Sequence, residues 1–356
     1  MSTLDDLPIR EDLRGQKPYG APQLEVSVSL NVNENTFGIP ESVALAIVEK
    51  LAKATIGLNR YPDREFLELR NQLANYLGHS LTEEQVWAAN GSNEILQQVF
   101  SAFGGPGRKA MSFGPTYSMY PNIARTTLTP YVEKSRGVDF TLTAEQVEEA
   151  IRSENPSIVI ICAPNNPTGT AVSLDVIERV YDSTDGIVIV DEAYAEFSDN
   201  PSALSLLPNR PRLVVSRTMS KAFAFAGARL GYLAADSAVV DALRIVRLPY
   251  HLSALTQAAA SAALEHSELL LQNVEKIKQQ RDRIIHATAR WGLRPYPSDA
   301  NFVLVGGFLD PNQVFEKLLA AGVLVRNVGI PNTLRITAGT EAETTKLLAE
   351  LALVLD

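Results

Sequence analysis

The chain has 356 residues, of which 46% are hydrophobic and 21% charged, a length that suits two domains and a large core. Its 32 lysine and arginine residues against 41 aspartate and glutamate residues give a net charge of −9, which argues against a nucleic-acid partner. The chain has one cysteine, Cys162, no apolar signal-peptide core and no run of roughly 18 apolar residues. These features predict a cytoplasmic protein without disulfides or membrane spans.

Residues 1–30 contain five prolines and glycines that interrupt any regular element, so we predict an extended arm there. Behind the arm, apolar runs typical of buried strands alternate with helical periodicity, which predicts a mostly parallel sheet with helices on both faces. The predicted helices are 40–56, 64–77, 92–103 and 116–125, and the predicted strands are 86–89, 110–113, 157–162, 186–190 and 212–216.

The pattern changes in the last third of the chain. Helical periodicity runs over 253–290, and a strand, a helix, two strands and a helix follow at 302–305, 311–321, 323–326, 334–337 and 341–354. This order is typical of a small α+β unit. We therefore predict an arm at 1–30, a large α/β domain at 31–262 and a smaller domain at 263–356.

Polar side chains follow three successive predicted strands of the large domain. Ligands of open α/β sheets bind beyond the carboxyl ends of the strands, so these residues are the candidates for a site. The candidates are Asn166, Asp191, Tyr194, Thr218, Ser220, Lys221 and, across a short loop, Arg229. Taken singly, Asp191 fits a helix cap and Lys221 a solvated surface residue. Those alternatives do not predict an amide, an acid, a phenol and an amine at successive strand ends.

This set meets the requirements of pyridoxal phosphate, which draws electrons from its substrate while its ring nitrogen is protonated. We assign the nitrogen to Asp191 and the Schiff base with the aldehyde to Lys221. Asn166 and Tyr194 would donate to the ring hydroxyl, and Tyr117 would stack on the ring. The phosphate would bind at a helix N-terminus and at nearby hydroxyls and a cation: Ser92, Asn93, Thr218, Ser220 and Arg229.

Motifs along the whole chain extend this interpretation. They are LNVNEN (30–35), NRYPD (59–63), PTY (115–117), PNNPTG (164–169), VDEAY (190–194), RTMSKAF (217–223), GARLG (227–231) and LRIT (334–337). With these motifs the chain resembles the fold-type I pyridoxal-phosphate aminotransferases and, within them, the histidinol-phosphate subgroup. The resemblance implies a large domain with a mostly parallel seven-stranded sheet and a smaller α+β domain.

The resemblance also implies roles for residues outside the strand ends. Tyr61 would reach the cofactor phosphate of a neighbouring subunit, which implies a homodimer with shared sites. Arg335 would bind the anionic end of the substrate. Arg326 would be the second cation of that pocket or, alternatively, a surface arginine. Tyr19 and Asn33 would close the substrate side.

For the substrate, the resemblance implies transamination between L-histidinol phosphate and 2-oxoglutarate, giving imidazole acetol phosphate and glutamate in histidine biosynthesis. Asn93 would bear on recognition of the substrate's side chain. Tyr250 fits either a wall of the substrate pocket or the core. A cage of Tyr19, Tyr117 and Tyr250 would also accept a phenyl ring, so an aromatic L-amino acid aminotransferase is an alternative. A decarboxylase of a phosphorylated amino acid is another, because it needs the same lysine and aspartate. The four histidines lack metal-ligand spacing with cysteine, and no metal is predicted.

Overall fold

Apolar, β-branched runs form the strands of the computed structural model, which describes residues 3–20 and 22–355. The strands are β1 (Val28–Ser29), β2 (Val86–Ala89), β3 (Ala110–Gly114), β4 (Tyr131–Ser135), β5 (Ile158–Cys162), β6 (Ile187–Asp191), β7 (Leu213–Thr218), β8 (Gly231–Ala235), β9 (Arg294–Pro295), β10 (Phe302–Gly306), β11 (Val323–Leu324) and β12 (Thr333–Thr337). The helices are α1 (Glu41–Ile56), α2 (Leu67–Leu77), α3 (Ser92–Phe103), α4 (Met119–Thr126), α5 (Ala144–Glu154), α6 (Leu174–Asp182), α7 (Ser237–Val246), α8 (Ala254–Glu265), α9 (Ser267–Arg290), α10 (Pro311–Ala320) and α11 (Glu341–Leu355).

The main sheet has seven strands in the order β2-β8-β7-β6-β5-β3-β4. Only β8 runs against its neighbours, pairing antiparallel with both β2 and β7, while the other pairs of the sheet are parallel. Every residue of β5 and β6 is buried, which requires packing on both faces of the sheet. The prediction of a mostly parallel sheet in an α/β protein is therefore confirmed. Its parallel order brings the carboxyl ends of β5, β6 and β7 to one edge.

Two predicted helices begin later in the structure than in the sequence pattern. The helix predicted from 64 begins at Leu67, because the Asp63 carboxylate accepts hydrogen bonds from the backbone N–H groups of Glu65 and Leu67 and forms a turn. The helix predicted from 116 begins at Met119. The helical periodicity predicted over 253–290 corresponds to two helices, α8 and α9, which meet at His266, a residue with non-helical dihedral angles.

The C-terminal part contains a second, antiparallel sheet in the order β12-β10-β9. The end of the predicted arm is tied to this part, because β1 pairs in parallel with β11 and Leu30 N–H donates to the Leu324 carbonyl. Upstream, residues 4–6 and 11–13 form short 3-10 turns in a mostly exposed segment, so the arm is not extended throughout. The domain boundaries at residues 30 and 262 stay predictions. Within the described residues, no helix combines the length and apolar character needed to cross a membrane.

Candidate active site

A cavity of about 730 Å³ opens at the carboxyl ends of β5, β6 and β7. All the predicted site residues except Tyr61 and Tyr250 line it. They are Tyr19, Asn33, Ser92, Asn93, Tyr117, Asn166, Asp191, Tyr194, Thr218, Ser220, Lys221, Arg229, Arg326 and Arg335. The wall also includes residues that the sequence did not single out, among them Asn31, Val32, Glu34, Ser118 and Asn327.

Lys221 lies in the turn after β7, and its amine donates a hydrogen bond to the Val32 carbonyl at 3.0 Å. Burial, together with the positive charges of Arg335 and Arg229, lowers the pKa of this amine to about 8, while Glu34 opposes the shift. A lowered pKa makes the unprotonated amine accessible closer to neutral pH. This is the form that attacks an aldehyde and accepts a proton.

Asp191 ends β6, and each of its carboxylate oxygens accepts a hydrogen bond from a neighbouring hydroxyl. Tyr120 donates to Oδ2 at 2.8 Å, and Ser216 donates to Oδ1 at 3.2 Å. Burial raises the pKa of Asp191, and the two hydroxyls and the Ala193 N–H oppose that shift. Neither hydroxyl was predicted from the sequence, although the i, i+3 spacing of Tyr117 and Tyr120 is a signal that these two tyrosines share one side of a helical turn.

The start of α3 and the Arg229 side chain form a cradle for an anion. Gly91 precedes the helix at φ +90°, and a Cβ there would lie 2.7 Å from Arg229 Nη2, so glycine permits the close approach. The first N–H groups of a helix have no intrahelical acceptor and favour an anion. Thr218 donates to Ser220 at 3.0 Å beside them. No carboxylate in the described residues pairs with Arg229, and the arrangement fits the phosphate of pyridoxal phosphate.

Tyr194 receives hydrogen bonds from two amides. Asn33 Nδ2 donates to its oxygen at 3.0 Å and Asn166 Nδ2 at 3.3 Å, so the phenol hydrogen is available to an acceptor in the cavity. The amide oxygens are held in turn, because Arg335 donates to Asn166 at 2.7 Å and Thr337 donates to Asn33 at 2.9 Å. This network fits the ring hydroxyl that the sequence analysis assigned to Tyr194 and Asn166.

Two arginines that line the cavity lie side by side. The backbones of Arg326 and Arg335 exchange two hydrogen bonds of 3.0 and 2.8 Å, a pairing that brings two side chains to one face. Arg335 donates to Asn31 O at 2.6 Å as well as to Asn166, and its Nε is buried without a partner among the residues that the structure describes. The Arg326 side chain has no hydrogen bond or ion pair within residues 3–20 and 22–355. Adjacent like charges are unfavourable unless an anion binds between them.

Tyr61 and Tyr250 lie outside the cavity and stack on each other, with ring centroids 4.5 Å apart. Tyr61 is 79% exposed and Tyr250 40% exposed, so neither belongs to the core of this chain. Neither residue contributes to the wall of its own chain's cavity.

Comparisons with known proteins agree with this geometry. Residues 25–351 match the model of the family aminotransferase class I and II. The chain is 60% identical to the histidinol-phosphate aminotransferase of Paenarthrobacter aurescens, over 100% of this chain and 97% of that protein. It is 54% identical to that of Thermobifida fusca, over 96% and 94%.

Among solved structures, the histidinol-phosphate aminotransferase from Sinorhizobium meliloti in complex with pyridoxal-5'-phosphate matches with a TM-score of 0.84 and 26% identity, covering 93% of this chain and 91% of that one. The family model covers residues 25–351, and the sequence identities above hold over nearly the full length of the relatives. The chain therefore belongs to the class I and II aminotransferases, among their histidinol-phosphate aminotransferases.

Proposed function

We propose that the protein uses pyridoxal phosphate to transfer the amino group of L-histidinol phosphate to 2-oxoglutarate, giving imidazole acetol phosphate and glutamate, a step of histidine biosynthesis. The observation that carries this proposal is one cavity lined both by an amine and a buried acid, Lys221 and Asp191, and by the arginine pair Arg326 and Arg335. The names of the full-length relatives support the same substrate.

Bound pyridoxal phosphate supplies an electron-poor ring that stabilises the negative charge left when a proton leaves the substrate Cα. Lys221 Nζ would take that proton from the substrate Cα and later give a proton back, because its lowered pKa lets the same amine act as base and then as acid. Asp191 would hold a proton on the ring nitrogen. Tyr194 would donate to the ring hydroxyl, and the Arg229 cradle would bind the cofactor phosphate.

Both proposed substrates carry an anion that takes no part in the making or breaking of bonds. In histidinol phosphate it is a phosphate and in 2-oxoglutarate a carboxylate, and a guanidinium fork accepts either. One arginine pair can therefore serve the two substrates in turn. Asn93, whose side-chain oxygen accepts a hydrogen bond from Tyr117 at 3.2 Å, is the proposed contact for the imidazole.

We also propose a homodimer that shares its active sites. The Tyr61–Tyr250 stack is exposed and lies outside its own cavity, and Leu58 and Leu248, near these residues in the sequence, are 49% and 77% exposed. A second copy would cover this apolar face. Tyr61 would then reach the partner's cofactor phosphate, and Tyr250, stacked on it, would reach the substrate side of the same site. The buried thiol of Cys162 suits a cytoplasmic enzyme.

The substrate is tested by mixing the pyridoxal form of the enzyme with single amines and recording its conversion to the pyridoxamine form by absorbance. L-Histidinol phosphate is expected to convert the enzyme fastest and without release of carbon dioxide. Faster conversion by L-phenylalanine would instead support an aromatic aminotransferase. Carbon dioxide released from a phosphorylated amino acid would support the decarboxylase.

Replacing Arg326 by glutamine is expected to raise KM for both histidinol phosphate and 2-oxoglutarate by roughly tenfold or more, the usual effect of losing a charge-assisted hydrogen bond. The turnover number should change less, because the anion takes no part in the making or breaking of bonds. Steady-state kinetics with each substrate measure both constants, with Arg290→Gln, an exposed arginine of α9, as control. An unchanged KM for both substrates contradicts the anion assignment.

Capture of the cofactor by the apo-protein is expected to depend on pH through the amine of Lys221. Only the neutral amine attacks the aldehyde, so the rate should rise with pH and reach half its maximum near pH 8. An ordinary lysine would reach that point above pH 10. Stopped-flow absorbance after mixing apo-protein with pyridoxal phosphate measures the profile. A rate that reaches half its maximum only near the ordinary lysine pKa would contradict the lowering of the Lys221 pKa by burial, Arg335 and Arg229.

A further inference from the structure

Tyr120 contacts two of the groups that would face the cofactor ring, although it does not line the cavity. It lies near the start of α4 and is fully buried. Its hydroxyl donates to Asp191 Oδ2 at 2.8 Å. Its ring meets Tyr117 edge-on, with centroids 5.5 Å apart and planes at 86°. The side chain therefore links the acid at the ring nitrogen to the aromatic residue at the ring face.

The proton between Asp191 and the ring nitrogen stays on the nitrogen only if the carboxylate is the weaker base. Burial works against this, because it raises the pKa of Asp191, and so does the nearby charge of Glu192. Hydrogen bonds from Tyr120, Ser216 and the Ala193 N–H stabilise the anion and make it less basic. Of the two hydroxyls, Tyr120 makes the shorter bond.

The surroundings of Tyr120 keep its hydroxyl a donor. Burial and the charge of Asp191 raise the pKa of the Tyr120 phenol, so it retains its proton. Cys162, another titratable group beside it, has its pKa raised to about 12 by burial and stays a neutral thiol. The phenol hydrogen is directed to Asp191 across the range in which enzymes work.

We propose that Tyr120 is a positioning residue whose hydroxyl keeps Asp191 less basic than the ring nitrogen, so that the shared proton stays on the nitrogen, while its ring supports Tyr117. This inference rests on the proposed binding of pyridoxal phosphate. Without the Tyr120 hydroxyl the proton would shift towards Asp191. The ring would then become a weaker electron sink while substrate binding is preserved.

Tyr120→Phe isolates the hydroxyl, because phenylalanine fills the same space and keeps the edge-on contact with Tyr117. Ser216→Ala removes the longer hydrogen bond to Asp191 and should act in the same direction by a smaller amount. Tyr131→Phe is the matched control, since Tyr131 also hydrogen-bonds through its hydroxyl, to Ser112, and neither residue lines the cavity. The control variant is expected to keep wild-type kinetics.

The experiment loads each holoenzyme with pyridoxal phosphate labelled with ¹⁵N in the ring and records the nitrogen chemical shift, kcat and KM. For Tyr120→Phe we expect the resonance to move from the protonated towards the unprotonated position and kcat to fall roughly tenfold, with KM nearly unchanged. A purely structural role would lower cofactor occupancy or stability without moving the resonance of the loaded fraction.

A loaded Tyr120→Phe enzyme with the wild-type nitrogen resonance and kcat would overturn the inference. If Tyr120→Phe does not fold, the inference is tested with Ser216→Ala instead. A nitrogen resonance of Ser216→Ala that stays at the wild-type position would likewise overturn the inference. Failure of the proposed function is a separate result, because the wild-type protein would then bind no labelled cofactor or would hold its ring nitrogen unprotonated.

Discussion

Replacing Lys221 by alanine is expected to lower transamination by roughly 10⁴-fold or more, since one amine both bonds to the cofactor aldehyde and moves the substrate proton. The fold should persist, because within the described part of the chain the amine makes a single hydrogen bond, to the Val32 carbonyl. Steady-state assays with histidinol phosphate and 2-oxoglutarate measure the loss, and circular dichroism checks the fold. Lys317→Ala, at an exposed position of α10, is the matched control and should be fully active.

Near-normal turnover by Lys221→Ala would remove the basis for assigning the base to this residue. Partial recovery on adding a small primary amine would support the assignment, since an external base can take the proton in the space that the side chain leaves.

The substitution Asp191→Asn is expected to leave a protein that binds pyridoxal phosphate but turns over roughly 10³-fold more slowly, a loss typical of removing one electrostatic contact to the developing charge. The amide has the same shape as the acid but carries no charge, so nothing keeps the ring nitrogen protonated. Measuring cofactor affinity by titration and kcat by steady-state assay separates the two effects. Asp175→Asn, at an exposed position of α6, tests for non-specific effects of the same change.

A fully loaded Asp191→Asn enzyme with near-normal kcat would contradict the electron-sink role of this residue. Loss of cofactor binding alone, with normal turnover of the loaded fraction, would reduce Asp191 to an anchor.

The sheet edge could be predicted from sequence because parallel order constrains it. Apolar runs predicted the strands β5, β6 and β7, and a parallel sheet brings the ends of such strands together, so Asp191 and Lys221 could be expected in one site. Their hydrogen-bond partners could not be predicted, because Val32 is 189 residues from Lys221 in the chain and Tyr120 is 71 residues from Asp191. Contacts at such separations depend on tertiary packing that no local pattern encodes.

The sequence patterns also did not predict where helical segments are interrupted. The helical periodicity before Leu67 continues through a turn that the Asp63 carboxylate forms, and around His266 it continues through a residue with non-helical dihedral angles. The stack of Tyr61 on Tyr250 outside the cavity depends on the shape of two loops. The positions of these two rings could be found only from the structure.

The most direct test of the central claim is to load the protein with pyridoxal phosphate, reduce it with borohydride and map the labelled peptide by mass spectrometry. Reduction fixes the carbon–nitrogen bond between the cofactor and whichever amine holds it. The label is expected on Lys221 alone, in the peptide that follows β7. A label on another lysine, or none on a protein that is folded and active, would contradict the assignment on which the site and its chemistry depend.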